Sequence, residues 1–102
     1  MIMIKVSNLK SPNGNKVANQ FEISIGSTYI FQSYESTIAI FNTFDNTKII
    51  NEDYYKYSAT TTKYTTIFFE CESTKELHKM VKDGDIKLVS GVEFSKMIMD
   101  LY

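Results

Sequence analysis

Apolar and polar residues alternate through the first half of the chain and recur at helical spacing in the last third. Residues 1–6 are apolar and β-branched and predict a first strand. Ser11-Pro12-Asn13-Gly14-Asn15 is a turn cluster, in which Asn13-Gly14 suits the positive φ angles of a tight hairpin. From Val17 the period is two: Phe21, Ile23 and Ile25 face one way, and Gln20, Glu22 and Ser24 the other. Gly26-Ser27 turns the chain into a strand over 28–34. Another follows over 36–41, with Ile38 and Ile40 expected on one face. A turn at 44–47 leads to a short strand over 48–50. The first half therefore reads as an antiparallel meander of four or five strands.

Residues 54–69 are ambiguous. Tyr, Thr, Ile and Phe favour strands, yet Tyr64, Ile67 and Phe68 stand at i, i+3 and i+4, and Ser58, Thr60 and Thr61 are candidate N-caps. The last third is clearer. Ser73-Thr74-Lys75-Glu76 is a capping box, followed by the apolar stripe Leu77, Met80 and Val81 and closed at Asp83-Gly84. Residues 86–89 predict a short strand. Residues 90–93 form a second capping box, and Phe94, Met97, Ile98 and Leu101 line one face of a terminal helix. That stripe is expected to pack on the sheet; left uncovered, it would be a partner interface, or a dimer interface through residues 90–102. The expected fold is α+β: an antiparallel four- to five-stranded sheet with two or three helices on one face, in one domain over 1–102.

Composition narrows the function. The 102 residues carry eleven basic groups, all lysine, against twelve acids, for a net charge of −1. Arginine is the main reader of guanine and the forked binder of phosphate, so a broad duplex-binding face is not expected. Abundant Ile, Asn, Lys and Tyr have AT-rich codons, which points to a low-GC bacterium or a phage or plasmid living in one. One cysteine forms no internal disulfide and no Cys/His zinc cage. No apolar run reaches the roughly 20 residues of a membrane span, and the N-terminal residues are too quickly polar for a signal peptide. A cytoplasmic location, in a host cell, is expected.

Candidate chemistry is sparse. On one helix Cys71 and His78 would stand about 10 Å apart along the axis, too far for a nucleophile–base pair. Cys71 reads as a small buried hydrophobe and His78 as a solvated residue on the polar side of its helix. Glu52-Asp53 and Asp83/Asp85 are paired carboxylates in turn-like contexts, where Asp bonds its own backbone. Neither pair, nor any phosphate loop or nucleophile elbow, supports catalysis. No enzymatic activity, metal or cofactor is expected. The informative cluster is Tyr54, Tyr55, Lys56 and Tyr57 with Lys63. Rings interleaved with lysine can stack a single-stranded nucleic acid, the same composition suits a protein interface, and it equally suits a plain sheet edge and core in a tyrosine-rich chain.

Three segments resemble a family of small uncharacterised phage and plasmid proteins. They are Asn13-Gly14-Asn15-Lys16-Val17-Ala18-Asn19-Gln20-Phe21, Phe31-Gln32-Ser33-Tyr34 with Ile38-Ala39, and Tyr57-Ser58-Ala59-Thr60-Thr61-Thr62-Lys63-Tyr64. The resemblance covers roughly residues 10–70. It implies a helix start in the third segment, hence a helix over 61–69. It leaves 86–102 unmatched, as a candidate extension. It implies an origin more than an activity; by analogy with small accessory proteins of phages and mobile elements, the expected function is non-enzymatic binding of a host protein or nucleoprotein complex, as by an anti-CRISPR-like inhibitor of antiviral defence. Gln32, Ser33, Tyr34, Tyr54, Tyr55, Lys56, Tyr57 and Lys63 are then the expected partner-binding residues. The alternatives are single-stranded nucleic-acid binding by the Tyr/Lys surface, and a structural homodimer.

Overall fold

The period-two segments form strands whose register follows their turns. A computed structural model describes residues 3–101 of the chain; residues 1 and 2 of the expected first strand lie outside it. Strands β1 (Ile4–Lys10), β2 (Lys16–Ile25), β3 (Thr28–Ser33), β4 (Ser36–Asn42) and β5 (Thr47–Asn51) pair in chain order, each antiparallel to the last. β1 runs past residue 6 because Ser7 and Asn8 pair with Glu22 and Phe21, and Leu9 reaches the core. A short 3-10 helix (Glu52–Tyr54), α1 (Ala59–Phe68) and α2 (Thr74–Asp83) then lead to β6 (Lys87–Val89) and α3 (Gly91–Leu101). β6 lies parallel to β5, so the α+β fold has a six-stranded mixed sheet rather than four or five antiparallel strands. A parallel neighbour requires a long crossover, which α1 and α2 supply.

The helices lie on both faces of the sheet, not one. Phe31, Ala39 and Ile50 pack with Tyr64, Phe68 and Phe69 around α1 and with Leu77 of α2. On the opposite face Ile23, Ile25, Ile30, Ile40 and Ile49 surround Phe94 of α3, with Met97, Ile98 and Leu101 partly buried beside it. Ile30 and Phe31 are sequence neighbours, fully buried on opposite sides. Strands apolar on both faces need a cover on each. The face of β2 expected to be polar lies on the α1 side, so Gln20 is only 2% exposed and Glu22 is half-buried.

Ile38 and Ile40 fall in different cores, against the expected alternation. Phe31 pairs with Ala39 and Gln32 with Thr37, which leaves Ile38 as an extra residue in β4. This bulge shifts the parity of the strand and brings Ile38 and Ala39 into the same core.

Local signals set the helix ends. Ser58 Oγ accepts from the Thr61 amide at 3.0 Å, so α1 starts two residues before the expected position. Its buried hydroxyls are satisfied within the helix: Thr65 Oγ1 donates to the Thr61 carbonyl and Thr66 Oγ1 to that of Thr62. Ser73 and Ser90 accept from the Glu76 and Glu93 amides, and Gly84 closes α2 at φ 85.

Candidate functional site

The β3–β4 hairpin has two loop residues, Tyr34 and Glu35. Tyr34 sits at φ 53, where hairpin turns favour glycine or asparagine. Its amide donates to the Asn19 carbonyl at 2.7 Å, and Gln32 Nε2 donates to its carbonyl at 2.7 Å. Two hydrogen bonds thus hold a bulky residue in a left-handed conformation that costs about 1–2 kcal/mol, while its side chain stands 63% exposed.

Across the end of the sheet, residues 51–57 bring up two more rings. Asn51 is buried and anchors the turn: its side chain accepts from the Asp53 amide at 3.0 Å and donates to the Thr37 carbonyl at 3.4 Å. The Tyr54 hydroxyl donates to Ser36 Oγ at 3.0 Å, which ties this turn to the hairpin. Tyr57 meets Tyr54 edge-on at 5.3 Å and is 68% exposed. Between hairpin, turn and the start of α1 lies a groove of about 410 Å³, lined by Ser33, Tyr34, Ser36, Ile38, Tyr54, Tyr57, Ser58, Thr60 and Thr61. Its walls are rings and hydroxyls over an aliphatic floor, without a charged side chain.

The expected partner-binding residues therefore separate. Ser33, Tyr34, Tyr54 and Tyr57 line the groove, and Gln32 braces Tyr34. Tyr55 turns away toward α2: its hydroxyl lies 2.8 Å from His78 Nδ1 and its ring meets the imidazole edge-on. Burial pushes the Tyr55 phenol up from its ordinary pKa. His78 is consequently a tether for this turn rather than a purely solvated residue. Lys56 stands over the Tyr55 ring at 5.5 Å, and Lys63 over Tyr64 at 5.4 Å, beside a different opening near Cys71. The groove also takes Ser36, which the sequence places at the start of a strand, and Ser58, Thr60 and Thr61, which it offers as helix caps.

Replacing Tyr34 by glycine is expected to leave stability unchanged or to raise it by up to about 1 kcal/mol, because backbone strain is relieved and little buried area is lost. Urea unfolding measures this. A loss above about 1 kcal/mol would mean that intramolecular packing of the ring, not a partner, accounts for tyrosine there.

A separate cleft on the α1 side holds Glu22 and Glu70 beside Tyr29, Phe41 and Phe68. Burial, then the charge of Glu70, pushes the Glu22 carboxyl above its ordinary value of 4.5. Within the window above that value the folded protein retains a proton the unfolded chain has lost, so stability falls as pH rises through it. Glu22→Gln is expected to raise the melting temperature by about 1–3 °C near pH 7 and to change nothing near pH 3. A melting curve at each pH tests this; an equal gain at both would assign the effect to packing. The Cys71 thiol, half-buried and 3.7 Å from Met80 Sδ, is pushed up in pKa by burial first and by Glu76 second. Among the described residues no three His, Cys, Asp or Glu side chains gather as metal ligands, and no helix is long and apolar enough to cross a membrane.

Residues 2–84 match a family of unknown function (DUF8033). The chain belongs to this family. The DUF8033 match takes in the meander, the groove and both helices of the α1 side, and ends before β6 and α3. No curated protein and no solved structure matches the chain.

Proposed function

We propose that this DUF8033 chain is a non-enzymatic accessory protein of a phage or mobile element. It binds a host protein or nucleoprotein complex through the tyrosine groove and inhibits an antiviral defence, such as CRISPR–Cas, by occupying it. The origin rests on the resemblance of the three sequence segments. The binding mode rests on one observation: Tyr34 is held exposed, in a strained conformation, at the mouth of an uncharged groove that it shares with Tyr54 and Tyr57. Strain of this kind concentrates at functional positions, and tyrosines in such pockets are common anchors of protein interfaces. The nucleic-acid alternative has less support, because none of the eleven lysines lines the groove. The homodimer through residues 90–102 also has less, because the apolar stripe of α3 lies on the sheet.

The test is affinity capture from nuclease-treated lysate of a defence-bearing host, with the parent chain and with Tyr34→Ala/Tyr57→Ala. A stoichiometric protein partner is expected to survive nuclease. The variant, unchanged in circular dichroism and melting temperature, should bind it about 10–30-fold more weakly. Capture that vanishes with nuclease, or that is equal for both chains, overturns the reading.

A further inference from the structure

The tyrosine groove does not end at Tyr54. A second groove of about 400 Å³ shares Ser36 and Tyr54 with it and runs on to the first turns of α3 at Gly91, Val92 and Ser95. The two form one crevice along the end of the sheet, with the Tyr54–Ser36 hydrogen bond at its waist. Their chemistry differs. The first half is aromatic and neutral, whereas Glu35 and Asp53 stand in the walls of the second. Glu52 adds a third, exposed carboxylate on the same turn. Asp53 is placed by two features: the Asn51 side chain fixes its backbone, and its carboxylate lies against the bare Cα of Gly91. No lysine lines either half.

We infer that the crevice takes a basic segment of a protein partner, with an apolar or aromatic side chain among Tyr34, Tyr54 and Tyr57 and a neighbouring Lys or Arg at Glu35 and Asp53. This deepens the protein-binding reading above and rests on it. Three physical points carry the inference. Two carboxylates and no lysine in its walls favour a positive charge in the partner, an effect that the partial positive charge of the α3 N-terminus at Gly91 offsets only in part. Tyrosine ring faces attract ammonium and guanidinium groups as well as apolar ones. An extended peptide advances about 3.3 Å per residue, so subsites that share two residues are filled by side chains close together in the partner's sequence. The same carboxylates repel a phosphate backbone.

The experiment is selection of a random heptapeptide display library on the full chain, on Tyr34→Ala/Tyr57→Ala and on Glu35→Gln/Asp53→Asn, each checked for folding by circular dichroism. All four positions are at least partly exposed, and asparagine at 53 keeps the backbone bond to Asn51. Peptides enriched on the parent are expected to carry Lys or Arg within two positions of an aromatic or aliphatic residue. They should be lost on the tyrosine variant and bind the carboxamide variant about fivefold or more weakly. Tyrosine-dependent enrichment of neutral or acidic peptides would overturn the basic-partner inference and leave the protein-binding reading intact. No tyrosine-dependent enrichment, with binding of a fluorescent oligothymidylate instead, would overturn both.

Discussion

Phe94→Ala is expected to lower stability by about 3–5 kcal/mol, a large part of the roughly 5–15 kcal/mol that holds a domain of this kind together. Phe94 is fully buried and is the one residue of α3 that reaches the bottom of its core. It contacts a floor of five isoleucines drawn from β2, β3, β4 and β5. Those side chains are fixed by the sheet and cannot collapse into the space left by the ring. Of the other apolar residues of α3, Met97, Ile98 and Leu101 are only partly buried and Val92 and Met99 are exposed, so each contributes less. Urea denaturation gives the number directly. A loss below about 1 kcal/mol would mean that α3 does not seat on the sheet in solution.

Phe31→Ala is expected to cost a similar amount, about 3–5 kcal/mol, through the opposite core. Its ring stacks on Phe68 at 5.8 Å and joins β3 to α1. The sheet separates the two rings and they share no packing partner, so the effects should add to within about 0.5 kcal/mol. The double variant then loses about 6–10 kcal/mol and is expected to show no cooperative melting transition. A double variant no less stable than the weaker single variant would show that the two cores open together.

Those elements that depend on neighbouring residues were legible in the sequence. The turn positions, the capping serines at 73 and 90 and the closing Gly84 stand where the pattern put them, although the loop at 11–15 is longer than a tight hairpin turn and only Gly14 of Asn13-Gly14 takes a positive φ. Decisions taken across the sheet were not. Nothing local states that α3 crosses to the other face, that β6 lies parallel, or that Ile38 is a bulge rather than one step of an alternation. α1 is the opposite case: threonine and tyrosine propensity favours a strand, and the Ser58 cap together with burial of Tyr64 and Phe68 against the sheet overrides it. At the site, Tyr54, Tyr55, Lys56 and Tyr57 read as one aromatic-basic cluster. The 3-10 helix sends Tyr54 and Tyr57 to the groove and Tyr55 to His78. The strained Tyr34 carries no Gly or Asn to announce its positive φ, so its conformation was invisible before the fold was known.

The placement of α3 also sets an order of events during synthesis. The ribosome completes β5 at Asn51 and reaches the end of α3 fifty residues later, at Leu101. At about 5–20 residues per second, that interval is about 3–10 s, whereas hairpins pair in microseconds. The nascent meander therefore has time to form with one isoleucine face still open to water and to other chains. Variants that weaken α3 should betray themselves first as lost soluble yield on expression, ahead of any change in what the purified protein binds.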